Sequence, residues 1–391
     1  MILPVILLLF AAVPAAVVAY GIDPNWAQYP HGLDLILLSR RFEWPMIALT
    51  LILCIAMIGL VIAGKRRAWW LVGLAPILTL LGHRFAINPN NSFVINADPV
   101  FVSADHASFL APDDSVLGII DGSDAVAFPF ASLYPRPLVV RDLRTQPMML
   151  MWSPFANCAT AYRIDRSIQT NELEIVSMPA NALFAYNSRV GQFINGITGL
   201  TPDGRVPAGF SSRIPTIKTN WDRWLRAHPN TTVLAPPAPA GESPRRAVLP
   251  YFPMPPDPSS ADPEATVALV GIPTPVAILD SDLDATIVNF SDPPMVIVRD
   301  PATGAVMAFD RHVDEDLIPT FSGRRFRKFP QASMTDSDSA SAWTADGRAI
   351  DGPLKGKRLR RLEIEDGVYW SVARYWFKTP RLLTPLPGKS P

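Results

Sequence analysis

The stretch PMMLMWSPFANCATAY, residues 147–162, aligns without a gap with PMVIVRDPATGAVMAF, residues 294–309. In the second copy, two β-branched and apolar runs flank DPATG, a proline-containing turn that ends in glycine, and this is the pattern of a β-hairpin. Gly304 stands where such turns need a positive φ, and Asn157, the best non-glycine residue for that conformation, stands at its counterpart. The alignment predicts two hairpins of one design and places Cys158, opposite Ala305, at the start of a returning strand.

The duplication extends beyond the hairpins. Four segments of the first copy have counterparts in the second: 116–120 and 267–272, 125–133 and 275–283, 203–205 and 346–348, 221–229 and 370–380. Two copies are too few for an open solenoid. We therefore expect either two domains or one pseudo-symmetric pair.

The composition favours strands and irregular loops over long helices outside the N-terminus. The 391 residues are 49% hydrophobic and include 41 prolines. Because 35 basic and 35 acidic residues cancel, no net charge attracts nucleic acid, and nucleic-acid binding is not expected. The two cysteines, Cys54 in an apolar helix and Cys158 in the first copy, predict no disulfide.

Three apolar segments precede the first copy and predict membrane helices at about 2–20, 44–64 and 68–84. Residues 2–20 could also be a cleaved signal peptide, but the positive n-region is missing, so an uncleaved helix is favoured. Between the first two helices, HGLDLILLSRRFEW, residues 31–44, is predicted to lie at the membrane interface.

The basic turn KRR, residues 65–67, favours the cytoplasmic side of a membrane. This orientation puts residues 85–391 outside, in the periplasm of a Gram-negative cell, and predicts a bacterial inner-membrane protein. Arg40 and Arg41 argue against it, and a re-entrant third helix would place the large region in the cytoplasm.

The predicted fold class is a set of N-terminal transmembrane α-helices followed by a β-rich α+β region made of two tandem pseudo-repeats. The proline-rich stretch between the copies predicts a stiff, extended linker. The predicted domains are a membrane anchor at 1–84, a first repeat domain at 85–234, the linker at 235–263, a second repeat domain at 264–383 and a tail at 384–391.

Six segments resemble one known family: DPVFVSADHASFL (98–110), VLGIIDG (116–122), AYNS (185–188), TNWDRWLRAHPNTTVL (219–234), VIVRDPATGAVMAFDR (296–311) and DGRAIDGPLKGKRL (346–359). The family is catalogued as domain of unknown function 3179, and the resemblance covers the chain from about residue 97 to about residue 383. Since the family's name states no activity, the resemblance implies a fold and a setting rather than a reaction.

The resemblance also implies a site that this chain lacks. Many family members look to carry Cys-Pro-x-Cys-Gly-Thr-Ala on the first hairpin tip and Trp-His-Glu before it, and such groups could bind a soft metal or exchange thiols. Here the tip reads SPFAN, residues 153–157, and the other position reads PRP, residues 135–137. Cys158 falls at the family's Thr position. No catalytic residue and no cofactor is therefore predicted.

A weaker alternative is a thioether-rich copper site built from Cys158 with Met148, Met149 and Met151. The register that these methionines share with Val and Ile of the second copy favours core packing instead. A nucleophilic role for Cys158 would need a base, and no histidine lies near it in the sequence. The five histidines include no pair at metal-ligand spacing.

Two basic clusters are candidates to contact a partner subunit or anionic lipid headgroups. The more common role of such clusters is a solvated face. The residues are Arg324, Arg325, Arg327 and Lys328 in one cluster, and Lys355, Lys357, Arg358, Arg360 and Arg361 in the other.

The sequence thus predicts a non-enzymatic, membrane-anchored accessory or structural subunit. Its extracytoplasmic region would bind or stabilise a larger inner-membrane complex, for example a respiratory or photosynthetic one, and its partners would be membrane lipids and other inner-membrane subunits. The alternative hypothesis is a periplasmic metal- or redox-handling protein that uses Cys158 and the neighbouring methionines.

Overall fold

The chain is a β-rich α+β protein with several sheets and a helical N-terminal region. The coordinates are a computed structural model. They describe residues 2–23, 25–28, 31–63, 69–86, 93–144, 146–237, 243–250, 262, 265–283, 286–314, 317–323 and 328–386. Most of the predicted linker lies outside these residues, as does the basic turn at 65–67.

Four helices form the N-terminal region: α1 (Ile2–Tyr20), α2 (Gly32–Arg41), α3 (Glu43–Ala63) and α4 (Trp69–Ala86). α1, α3 and α4 lie in the three segments predicted to be helical, and α2 lies in the segment predicted at a membrane interface. Within the described residues, one helical window, Glu43–Leu60, is long and apolar enough to cross a membrane. α1, α3 and α4 pack through small and apolar side chains, including Ala11, Ala15, Cys54, Met57 and Ile77.

Residues 95–234, here called the first half, form three sheets. The strands are β1 (Ile95–Asn96), β2 (Phe101–Ser103), β3 (Ser115–Asp121), β4 (Asp124–Pro129), β5 (Leu138–Asp142), β6 (Pro147–Ser153), β7 (Cys158–Ile164), β8 (Leu173–Ser177), β9 (Phe184–Asn187), β10 (Gln192–Asn195), β11 (Phe210–Arg213), β12 (Ile217–Asn220) and β13 (Thr232–Leu234), with the short helices α5 (Phe130–Leu133) and α6 (Trp221–Ala227). The sheet orders are β1-β5-β6-β7-β11, β12-β3-β4-β13-β2 and β10-β9-β8.

Residues 265–386, here called the second half, form three further sheets. The strands are β14 (Thr266–Val270), β15 (Val276–Leu279), β16 (Ile287–Ser291), β17 (Pro294–Arg299), β18 (Val306–Asp310), β19 (Phe321–Gly323), β20 (Ala332–Asp336), β21 (Ala342–Thr344), β22 (Ala349–Asp351), β23 (Arg361–Leu362) and β24 (Ile364–Tyr369), followed by α7 (Trp370–Trp376). The sheet orders are β15-β14-β24, β16-β17-β18-β23 and β19-β20-β21-β22.

Both predicted hairpins are present, as β6–β7 and β17–β18. Met149 lies opposite Tyr162 in the first hairpin, and Val296 lies opposite Phe309 in the second. This is the same register under the gapless alignment. The predicted positive φ is confirmed at both turns, with 47° at Asn157 and 73° at Gly304.

The strand orders of the two halves also correspond. β12-β3-β4 matches β24-β14-β15, and β5-β6-β7-β11 matches β16-β17-β18-β23. A short helix follows the corresponding strand in each case, α6 after β12 and α7 after β24. β12 and β24 therefore hold comparable places in their own halves, and so do the two hairpins.

One hydrophobic core joins the two halves and α2. It contains Ile36 of α2, Cys158 and Phe184 of the first half, and Val368 and Trp370 of the second half, all nearly inaccessible to solvent. The sequence placed α2 at a membrane interface because its apolar residues share a face. In the structure Ile36 on that face packs against protein.

Candidate functional site

Each hairpin tip contacts the opposite half of the protein. At the first tip, residues 153–158, Asn157 Nδ2 donates a hydrogen bond of 2.9 Å to the carbonyl oxygen of Gly367 on β24. At the second tip, residues 300–305, the carbonyl oxygen of Thr303 accepts a hydrogen bond from Thr219 Oγ1 on β12. The contact between the halves is therefore reciprocal, and the first tip lies inside it.

The positions of the family's thiols are occupied by buried side chains that support the tip. Ser153 is fully buried, and its Oγ accepts a hydrogen bond of 2.9 Å from the backbone N–H of Leu183. Ala156 is also fully buried. The segment 135–137 runs beside β6, since the carbonyl oxygen of Pro137 accepts a 2.9 Å bond from the backbone N–H of Trp152. These groups pack and align strands and offer no reactive atom.

Cys158 lies in an environment that disfavours a reactive thiolate. The residue is fully buried, and its Sγ lies 3.9 Å from the carbonyl oxygen of Ile197. Burial raises the pKa of Cys158, the charge of Glu365 adds to the rise, and Lys218 and Arg213 oppose it. A thiol needs its thiolate form to attack or to bind a soft metal. The environment of Cys158 disfavours that form.

The three methionines named with Cys158 do not share a site with it. Successive side chains of a strand point to opposite faces, so Met148 packs in one cluster while Met149 and Met151 pack in another. Cys158 belongs to a third cluster, the one between the halves. Among the described residues, no group of three or more His, Cys, Asp or Glu side chains is arranged to hold a metal ion.

A network of charged groups lies at the first tip. Lys218 Nζ on β12 lies 2.6 Å from Glu365 Oε1 on β24, and the exposed fractions of the two side chains are 10% and 3%. Lys218 also donates to the carbonyl oxygens of Asn157, at 2.6 Å, and Asp366. Burial alone would lower the pKa of Lys218, but Glu365 and Asp366 outweigh burial and raise it. Lys218 is held as a cation between the halves.

Glu365 is satisfied on both carboxylate oxygens. In addition to Lys218, its Oε1 accepts a 2.9 Å bond from the backbone N–H of Ala159, and its Oε2 accepts a 3.1 Å bond from Thr216 Oγ1. A buried carboxylate is stable in its ionised form when a counter-charge and hydrogen bonds compensate it, and Glu365 has both. The pair therefore fastens the first tip to β24.

Two further carboxyl groups lie close to this network. Burial raises the pKa of Asp366 to about 6, Lys218 opposes the rise, and Glu365 and Asp280 add to it. Burial likewise raises the pKa of Asp280, against the hydrogen bond from Thr266 and the charge of Lys218. Paired carboxyl groups with raised pKa values are common at functional sites. They mark this contact as the most electrostatically perturbed part of the described chain.

The predicted basic clusters are only partly described. Arg324, Arg325 and Arg327 lie outside the described residues, and Lys328 stacks over Phe329 at 5.6 Å. In the second cluster Lys357 pairs with Asp314 at 2.6 Å, and Arg360 pairs with Asp310 at 2.6 Å. The remaining members, Lys355, Arg358 and Arg361, are exposed and form no ion pair with another described residue.

A model of a protein family of unknown function, DUF3179, matches residues 95–379. The chain belongs to this family. The match confirms the resemblance inferred from six sequence segments, and it covers both halves and both hairpin tips. The helices α1 to α4 lie outside the matched range. No curated protein and no solved structure matches the chain.

Sequence reasoning missed the four charged residues at the contact between the halves: Lys218, Asp280, Glu365 and Asp366. A signal was present in RLEIEDGVYW, residues 361–370, where acidic residues interrupt a strand-like apolar run. Such residues either face solvent or need a buried partner. The sequence could not name the partner, because Lys218 lies in the other half.

Proposed function

We propose that this chain is a membrane-anchored accessory subunit, without a reaction of its own, that binds or stabilises a larger inner-membrane complex through its β region. α1, α3 and α4 would span the bilayer, and the β region would lie on the periplasmic side. The two halves would derive from a tandem duplication, which their matching strand orders and hairpin registers support.

The helical region presents an apolar outer surface. The exposed large apolar side chains there are Ile6, Leu9, Phe10 and Val13 on α1, Leu49, Leu51, Ile52, Ile55, Ile58, Leu60 and Ile62 on α3, and Leu78 on α4. Soluble surfaces seldom carry so continuous an apolar area, whereas lipid or partner helices cover it. The 21 residues of α3 have a length of about 31 Å, which is close to the thickness of a bilayer's hydrocarbon core.

Exposed aromatic side chains surround one end of these helices. α1 ends where α3 begins and α4 ends, as shown by Tyr20 stacking on His83 at 5.3 Å and by Arg84 pairing with Glu43 at 2.8 Å. The exposed aromatic residues at this end are Tyr20, Trp26, Phe42, Trp44 and Phe85. Aromatic belts of this kind are typical of a membrane–water interface. The belt supports a bilayer boundary directly beneath the β region.

The observation that carries the proposal is the buried junction between helices and β region. Glu43 pairs with Arg40 at 2.7 Å and with Arg84 at 2.8 Å, and Arg40 also pairs with Glu174 on β8. The side chains of Arg40, Glu43 and Arg84 are at most 15% exposed. A domain on a loose tether needs no buried contacts with its anchor. A fixed junction holds the β region in one position over the bilayer, which a bracing subunit requires.

The test is gentle detergent purification of the tagged native protein, followed by size exclusion and identification of co-migrating chains. We expect a stoichiometric set of membrane proteins. Charge reversal at the exposed Lys355 and Arg358 should release them if the basic face is the contact. Reversal of Arg205, an exposed arginine of the first half, is the matched control. A lone monomer, or one that carries copper, would contradict the proposal.

A further inference from the structure

A cavity of about 190 Å³ lies where the two halves meet. One wall is the connection from β11 to β12, residues 213–216, and the other wall is formed by β23 and β24, residues 361–365. These two segments hold corresponding places in the two halves. The first leads into β12, which precedes α6, and the second leads into β24, which precedes α7. The cavity therefore lies between equivalent elements, close to the Lys218–Glu365 pair.

Two arginines line this cavity without a close partner. The Arg213 side chain is 12% exposed, and its nearest carboxylate, on Glu363, is 3.9 Å away, beyond hydrogen-bond range. Arg361 is exposed, and among the described residues it forms no ion pair, although Asp346 is close enough to act on its charge. Both guanidinium groups therefore have N–H donors that are available to a ligand in the cavity.

The acidic groups of the lining leave room for an anion. The charge of Glu365 is compensated by Lys218 at 2.6 Å and by its hydrogen bonds to Ala159 and Thr216. Glu363 is the other lining carboxylate, and its side chain is 51% exposed, so water screens it. Three cations, Arg213, Arg361 and Lys218, therefore surround the cavity against the two carboxylates of its lining. The volume of about 190 Å³ limits a ligand to a small molecule.

We propose that this cavity binds a small oxyanion, a carboxylate or a phosphate, between Arg213 and Arg361. Guanidinium groups bind both anions through paired hydrogen bonds, and a low-dielectric wall strengthens those bonds. A bound anion would contact both halves and hold them together. The inference does not depend on the accessory-subunit proposal, because the cavity is built from this chain alone.

The experiment is calorimetric titration of the full-length, detergent-solubilised protein with sodium phosphate and, separately, with sodium succinate, at constant ionic strength against sodium chloride. We expect saturable binding of at least one of them. Arg213→Gln and Arg361→Gln should each weaken it about tenfold to a hundredfold, as loss of a charge-assisted hydrogen bond predicts. The anion that saturates identifies the ligand class.

Arg360→Gln is the matched control, because Arg360 neighbours Arg361 but pairs with Asp310 and does not line the cavity. It should leave the affinity unchanged. If the melting temperature shows that Arg213→Gln does not fold, the Arg361→Gln variant decides the test, because Arg361 is exposed. The proposal would be overturned if neither anion gave saturable binding, or if Arg360→Gln and Arg361→Gln lost equal anion affinity. It would also be overturned if binding required a co-purified partner, because a carboxylate of that partner would then occupy the cavity.

Discussion

Lys218 is the single side chain on which the contact between the halves depends most. Its ammonium group touches Glu365 on one strand and two backbone carbonyls, so its loss would leave a buried carboxylate without a counter-charge. Breaking one partner of a buried pair costs about 3 to 5 kcal/mol. We expect Lys218→Met to lower the free energy of unfolding by that order, measured by thermal or denaturant unfolding in detergent.

The double variant Lys218→Met/Glu365→Gln tests the cause. With both charges of the pair removed, Glu365 is no longer a carboxylate without its counter-charge, and we expect at least about 1 kcal/mol of the lost free energy of unfolding to return. If the double variant is as unstable as the sum of the two single variants, Lys218 contributes packing and not charge compensation.

Asp366 gives the contact a pH dependence of known sign. Its pKa in the folded protein is about 6, above its ordinary value of 3.8, so the folded state binds this proton more tightly than the unfolded chain does. The stabilising contribution is present below about pH 4 and is lost as pH rises towards 6. Asp366→Asn should therefore raise the melting temperature above pH 6, with a gain of up to about 3 kcal/mol, and should have no effect below about pH 4.

Asp351→Asn, at an exposed position at the end of β22, is the control for this pH series. Its melting curve should follow the parent protein at every pH. If Asp366→Asn raises the melting temperature equally at pH 4 and at pH 7, ionisation of Asp366 is not the cause of the stabilisation.

At the level of elements, the first hairpin contributes both a backbone conformation and a cross-contact. Asn157 holds φ at 47° and donates to the carbonyl oxygen of Gly367 at 2.9 Å. Asn157→Gly keeps the backbone conformation but removes this hydrogen bond, so we expect the free energy of unfolding to fall by about 0.5 to 1.5 kcal/mol. Asn157→Ala removes the same hydrogen bond, and alanine at a positive φ adds backbone strain that costs about 1 to 2 kcal/mol more. Denaturant unfolding should give the highest free energy of unfolding for the parent protein, a lower one for Asn157→Gly and the lowest for Asn157→Ala. Equal free energies of unfolding in the two variants would show that strain plays no part.

The sequence was informative wherever structure follows from local pattern. Alternating and β-branched runs predicted both hairpins, and the Asn157/Gly304 correspondence predicted their positive φ. The pairing of Lys218 with Glu365 could not be predicted, because no single sequence records which buried charges meet across a fold. The packing of α2 against the β region could not be predicted either, because the sequence pattern of an apolar helix face is the same whether lipid or protein covers it.

At the scale of the whole molecule, the accessory-subunit proposal places the β region on the periplasmic side of a membrane, and this orientation can be tested. Because the junction at Glu43 fixes the helices to the β region, one labelled position in the β region and one in the helical region report the orientation of the whole protein. Ser123 is exposed in the β region, and Ala63 is exposed at the end of α3 farthest from the junction. The native thiols, Cys54 and Cys158, are both buried, so the parent protein offers no accessible background thiol.

We expect a membrane-impermeant maleimide applied to spheroplasts to label Ser123→Cys and to leave Ala63→Cys unlabelled until the cells are lysed. The reason is the basic turn that follows α3, because Lys and Arg concentrate on the cytoplasmic side of spanning helices. The parent protein should stay unlabelled throughout. The reverse pattern, with Ala63→Cys labelled and Ser123→Cys protected, would place the β region in the cytoplasm. Labelling of both variants in intact spheroplasts would mean that α3 does not cross the membrane.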